Sequence, residues 1–259
     1  MTAPLVDLKK QNGVAILTLN RPQKFNCLSL SVHKLLEEIV ISLEQDKEVR
    51  CILICANGKN FCTGADLEEV KGIRDSQEKL KHFIGQGNRA LARLENSELP
   101  VIAAVQGLAL AGGLELVLAT DVVFAAESAQ LGDQHSHFGL IPGWGGSQRL
   151  PRIVGKRRAL DLLFSARWLK ANEALSMGLV NYVVPNEELQ TTALEYCEKL
   201  AKKSRSGLGL MKSLVHEGLD LDINASIDFE AARAVPALQS EDVTEGLAAF
   251  EGRREPKFA

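Results

Sequence analysis

Residues Val101 to Glu115 read VIAAVQGLALAGGLE. The first five are small or β-branched and apolar throughout, the signature of a strand buried on both faces. Gly112 and Gly113 then open a helix-forming segment with Glu115 in its first turn. A helix start offers unsatisfied N–H donors and the positive end of a dipole, and glycine allows backbone to approach where a side chain would block it. Together these features can form an anion-stabilising hole beside a carboxylate. On spacing alone, Glu115 could equally be a structural carboxylate stabilised by capping and the helix dipole. A second glycine-rich stretch, Gly139 to Arg149 (GLIPGWGGSQR), repeats the transition from loop to helix.

Outward from this core the same grammar recurs. Leu5 to Lys10 and Val14 to Leu19 alternate in hydrophobicity around Asn12-Gly13, which predicts a hairpin. Val32, Leu35, Leu36, Ile39, Val40 and Leu43 recur at helical spacing. Cys51 to Ala56 (CILICA) is a second doubly buried strand, Leu67 to Asn96 is helix-prone, and Val122 to Ala125 is another strand. Buried strand, polar loop and helix in alternation argue for an α/β fold with parallel strands and crossover helices. Beyond Pro185 the segments Leu189–Lys203, Leu208–Leu219, Ile223–Ala234 and Val243–Arg253 are helical, so the chain divides into an α/β core, residues 1–200, and a helical C-terminal region, residues 201–259.

Bulk properties narrow the class. The 259 residues are 46% hydrophobic and 24% charged, with a formal charge of −3 that gives no reason to expect nucleic acid as a partner. Five cysteines without CxxC spacing suggest a reducing compartment and no metal site; Cys51 and Cys55 read as core. The start, MTAPLVDLKK, has neither a signal core nor an arginine-rich presequence, and no apolar run approaches a membrane span. The expected compartment is therefore the cytoplasm, with no membrane association.

The loop NGKNFCTGADL, Asn57 to Leu67, leaves the Cys51–Ala56 strand through a glycine turn and places the Ala65 amide at a helix start. Carboxyl ends of parallel strands are the usual ligand edge of α/β proteins. If the strands ending at Ala56 and Val105 are neighbours, the Ala65 and Gly112 amides can converge on one oxygen. Trp144 reads either as a wall of an apolar pocket or as ordinary core, with Phe83 and Ile84 as further wall candidates.

These residues carry a family resemblance. Asn20-Arg21-Pro22 with Asn26, Phe61 to Leu67, Pro100 to Glu115, Gly139 to Gly143, Gly145 to Leu150 and Ala174 to Val180 occur in an order that resembles the enoyl-CoA hydratase/isomerase (crotonase) superfamily, over essentially the whole chain. The resemblance implies a crotonase-like spiral of ββα units followed by a helical trimerisation region, assembled as a homotrimer or dimer of trimers. It implies an acyl-CoA thioester substrate, with coenzyme A entering as part of the substrate and no separate cofactor. It places the thioester oxygen between the Ala65 and Gly112 amides, Glu115 as principal acid/base, and the coenzyme A moiety against Asn26, Asp66 and Leu67.

One position departs from the family. Its hydratases use two glutamates; the first matches Glu115, but the second falls on His135 in Gly132-Asp133-Gln134-His135-Ser136. Two carboxylates repel, whereas Glu and His attract, which favours the charged form of each unless burial opposes it. Histidine still exchanges protons near neutral pH, so hydration of a 2-enoyl-CoA remains the leading expectation. Simple isomerisation, which in this family uses a carboxylate at that position, is disfavoured. Hydrolysis, decarboxylation and non-catalytic acyl-CoA binding are the alternatives. Asp133 is an outside candidate for a displaced carboxylate, and His137 reads as a polar loop residue.

Overall fold

The computed structural model describes residues 3–258. The chain opens with the expected hairpin, β1 (Val6–Gln11) and β2 (Val14–Leu19), paired antiparallel. Asn12 and Gly13 both take positive φ, as the two central positions of a type I′ turn require. Helix α1 (Leu30–Gln45) follows, capped by the Ser29 hydroxyl accepting from Val32 N and burying Val32, Leu36, Val40 and Leu43 on one face. Strand β3 (Cys51–Ala56) is buried along its whole length.

The long helix-prone stretch is two helices, α2 (Leu67–Ile73) and α3 (Gln77–Glu95). Ser76 caps the second by accepting from Lys79 N, and this restart is what divides them. Next come β4 (Val101–Val105), a short β5 (Leu108–Leu110), α4 (Gly112–Leu118), β6 (Val122–Ala126) and a short β7 (Gln130–Gly132). Helices α5 (Gly146–Val154) and α6 (Lys156–Ser165) precede β8 (Leu169–Lys170), α7 (Ala171–Ser176), β9 (Tyr182–Val184) and α8 (Leu189–Ala201).

The strands form two sheets. A six-stranded sheet runs β1-β2-β3-β4-β6-β9, parallel from β2 onward; a three-stranded sheet runs β5-β7-β8. Two successive turns of the chain thus give a longer strand to the first sheet and a short one to the second, β4 with β5 and then β6 with β7. The short strands escape the sequence pattern because three residues are too few to show a period. The main core fills the space between the sheets and α1, α3, α4 and α5; a second cluster lies under α8, on the other face of the large sheet. All five cysteines are buried and unpaired.

Helices α9 (Arg205–Gly218), α10 (Ile223–Leu238) and α11 (Glu241–Glu251) close the chain. Arg205 anchors α9 to the end of α1 by donating to the Glu44 and Asp46 carbonyls at 2.6 and 2.8 Å. Lys212, nearly buried, meets Asp121 Oδ2 at 2.8 Å and donates to the Leu94 and Leu99 carbonyls. The outer faces remain apolar and exposed, including Leu219, Ile223, Leu238 and Phe250. Among the described residues no helix is long and apolar enough to cross a membrane, and no group of acidic, cysteine and histidine side chains is arranged to hold a metal.

Candidate active site

Strands β3 and β4 are parallel neighbours, Ile52 opposite Val101 and Ile54 opposite Ala103. The loops leaving their carboxyl ends therefore run side by side. Cys62 forms a parallel bridge with Ala109, its amide donating to Leu108 O at 3.0 Å and its carbonyl accepting from Leu110 N at 2.9 Å. This fixes the loop 62–65 against the turn that enters α4. Gly64 has φ +104°, and a Cβ on it would lie 3.0 Å from Gly112 N, so a side chain there would be strained and would crowd that amide.

Two amides emerge from this junction. In the bridge between Leu28 and Ala65, Gly64 O accepts from Leu28 N and Asp66 N donates to Leu28 O. The Ala65 N–H, between those bonds, points the other way. Ala111 is held at φ 50°, ψ −118°, unusual for a residue with a Cβ, and its own amide donates to Gly132 O at 2.9 Å. That twist puts Gly112 at the first position of α4, where an amide has no partner within the helix. The adjacency on which convergence of the Ala65 and Gly112 amides depends is present.

Glu115 lies one turn into α4 and is 1% exposed. Its Oε1 accepts from Trp144 N at 2.7 Å and from Gly146 N, at the start of α5, at 2.8 Å. The carboxylate thus sits between the N-terminal ends of two helices. Burial nevertheless wins: it raises the carboxyl pKa above the ordinary 4.5 despite those bonds and the charge of His135. Here burial opposes, and outweighs, the attraction between the carboxylate and the histidine.

Oε2, the other oxygen of Glu115, lies 3.9 Å from His135 Nε2. His135 arrives here because Gly132, at the end of β7, is tied to Ala111 at the mouth of α4. Asp133, 1% exposed, uses both oxygens on His135: Oδ1 accepts from its backbone N at 3.1 Å, and Oδ2 lies 2.9 Å from Nδ1. Burial disfavours the imidazolium, but the bond and charge of Asp133 and the charge of Glu115 outweigh it and raise the pKa above 6.5. Asp133 is therefore not a carboxylate displaced into the second glutamate's place; it stands behind the imidazole. The Asp-x-His spacing was the available signal. His137 belongs to a short 3-10 turn, Ser136–Phe138, which carries it to the exposed surface rather than to the side of His135.

Trp144 is 2% exposed and packs its indole over Gly112 and Gly87, where a Cβ on either glycine would fall 2.5 and 2.2 Å from the ring. His33 lies edge-on to it at 4.3 Å between centroids, and Phe83 at 5.4 Å. His33 was not singled out by sequence, since it shares the apolar face of α1; burial pushes its pKa down to about 4.

The residues expected around coenzyme A divide. Asn26 is buried, with Oδ1 accepting from Arg21 N and Nδ2 donating to the Asn57 and Asn60 carbonyls. Asp66 pairs with Arg21 at 2.8 Å and caps α2. Both side chains hold the loop in shape through polar bonds within the protein. Leu67 is exposed at the loop rim. Glu69 accepts from Leu30 N at 2.9 Å and so joins α2 to α1.

Comparison with known proteins gives the family. Residues 9–259 match the model of the enoyl-CoA hydratase/isomerase family, and the chain belongs to that family. It is 36% identical to a short-chain-enoyl-CoA hydratase of Clostridium acetobutylicum, covering 96% of this chain and 95% of the relative. It is 35% identical to the mitochondrial methylglutaconyl-CoA hydratase of Mus musculus, covering 97% and 81%. Among solved structures, an enoyl-CoA hydratase from Bacillus anthracis superposes with a TM-score of 0.95 at 34% identity, over 98% of this chain and 99% of the other. The fold is the crotonase-like α/β fold.

Proposed function

We propose that this protein adds water to the double bond of a 2-enoyl-CoA thioester. The observation that carries the reading is the 3.9 Å gap between Glu115 Oε2 and His135 Nε2, beside two backbone amides. The enoyl-CoA hydratases among the relatives support the substrate class.

The thioester oxygen sits between the Ala65 and Gly112 N–H groups. Glu115 takes a proton from water as the water oxygen bonds to C3. The double-bond electrons shift toward the thioester oxygen, giving an enolate whose charge the two amides stabilise; such donors are typically worth about 2.7–4 kcal/mol each in the transition state. Imidazolium His135 then gives its Nε2 proton to C2. Glu115 is left protonated and His135 neutral, and transfer of that proton from Oε2 to Nε2 restores the resting site. Coenzyme A takes part only as the thiol half of the substrate's thioester, with no other cofactor needed. The exposed apolar faces of α9 to α11 support self-association as a homotrimer or dimer of trimers, and the proposed compartment remains the cytoplasm.

A second reading has one specific support, the Asp133–His135 pair, an arrangement suited to activating water against a carbonyl. Water would then add to the thioester carbon, the C–S bond would break, and His135 would pass the proton to the departing thiolate. Crotonyl-CoA separates the readings. Loss of the conjugated-thioester absorbance without free thiol supports hydration; release of thiol supports hydrolysis. Binding without either reaction, across a panel of enoyl chain lengths, would leave an acyl-CoA binder and sink both.

A further inference from the structure

We infer that Asp133 is a positioning residue that holds His135 as its Nδ1–H tautomer and reserves Nε2 for the proton exchanged with substrate C2 and Glu115. The inference rests on the hydratase reading for its consequence, but its geometric content is independent of it. A carboxylate is an acceptor only, so the ring nitrogen it meets at 2.9 Å must carry hydrogen. Neutral His135 therefore has a bare Nε2, aimed toward Glu115 Oε2.

The second bond makes this orientation firm. Asp133 Oδ1 accepts from the backbone N of His135 itself, so the carboxylate is locked to the loop as well as to the ring. Its side chain is 2% exposed, so water does not compete for it. The charged groups facing the imidazole are Asp133 from its own loop and Glu115 from α4. From the α6 side the contacts are neutral: Ser136 Oγ donates to Phe164 O, and Gln134 Nε2 donates to Ala166 O. Neither of these contacts brings a charge to the imidazole.

Tautomer matters because proton return runs through Nε2. With hydrogen on Nε2 and none on Nδ1, neutral His135 cannot accept a proton from Glu115 at the near atom. With hydrogen on Nδ1, it can, and the resulting imidazolium is held by a carboxylate on each side.

Asp133→Asn tests this directly. The amide keeps the size and can still accept from His135 N, but it presents NH2 to Nδ1 and favours hydrogen on Nε2. With crotonyl-CoA the expected result is a fall in kcat of roughly 10²–10⁴, the range of acid–base and tautomer effects, with KM within about threefold. The basic limb of the pH profile should also move to lower pH. A folded variant with unchanged kcat and an unmoved basic limb would overturn the inference. A readout free of the variant is the imidazole ¹⁵N spectrum of the wild type above the pKa of His135, assigned by the signal lost in His135→Gln. Nδ1 should bear the proton and Nε2 should be bare; the reverse would overturn the inference even if the enzyme hydrates crotonyl-CoA. An Nδ1–H tautomer in a protein with no hydratase turnover would instead leave the tautomer assignment standing and remove the reaction.

Discussion

Trp144→Ala should shift the preference of the site toward longer acyl chains. The indole occupies the space between Gly87 on α3 and Gly112 at the oxyanion-stabilising turn, with His33 and Phe83 behind it. An acyl chain held at Gly112 therefore meets aromatic surface where extra methylenes would go. Removing the ring leaves Glu115 held, because the donor at this position is the main-chain N. Each added methylene that enters the vacated space gains about 0.8 kcal/mol, roughly fourfold. Four of them, the step from a four-carbon to an eight-carbon acyl group, give about 3 kcal/mol, a relative gain of up to about 200-fold. The assay is kcat/KM for four-, six- and eight-carbon 2-enoyl-CoA thioesters on both proteins. The variant will also be less stable, by about 3–5 kcal/mol as for other buried aromatic truncations, so melting is measured in parallel. A folded variant whose eight-to-four-carbon ratio matches that of the wild type would refute the reasoning and leave Trp144 as core.

Three further outcomes are expected. Hydration needs Glu115 ionised and His135 protonated, so kcat/KM should fall below the raised carboxyl pKa, above 4.5, and again above the raised imidazole pKa, above 6.5; a basic limb below 6.5 would contradict the electrostatics of Asp133 and Glu115. His33 is neutral in the fold, with its pKa near 4 against an ordinary 6.5. Its contribution to stability is complete above pH 6.5 and is lost as pH falls toward 4, about 3 kcal/mol in all, and denaturant titrations of His33→Leu should lack that part of the pH dependence. Gly64→Ala places a Cβ 3.0 Å from Gly112 N at φ +104°; kcat should fall by roughly 10²–10³, the effect of losing one oxyanion donor, and wild-type kcat in this variant would show that the junction tolerates the methyl.

The long elements were legible because their residues carry a full period. The doubly buried runs at Cys51 and Val101 and the helical spacing from Val32 to Leu43 each coincide with an element. The second sheet was not legible, since Leu108–Leu110 and Gln130–Gly132 are too short for alternation to show. At the site, helix-start logic located the Gly112 amide and Glu115, because glycines and a first-turn carboxylate are local signals. What could not be read locally was burial. It decides the direction of the Glu115 shift, takes the amide of Asn26 into the loop it supports, and joins His33 to Trp144 across α1 and the turn before α5. The pairing of Asp133 with His135, by contrast, is a local signal two residues apart, while the turn at Ser136–Phe138 carries His137 to the surface.

The most direct test is crotonyl-CoA hydration by Glu115→Gln beside the wild type. The substituted amide keeps the shape of the carboxylate, and its oxygen can still accept from the Trp144 and Gly146 amides, yet it cannot take a proton from water. The expected result is wild-type turnover and a loss of at least about 10²–10⁴ in kcat for the variant, with crotonyl-CoA still bound. Turnover in the variant within about tenfold of the wild type would contradict the assignment of Glu115 as the base that activates water.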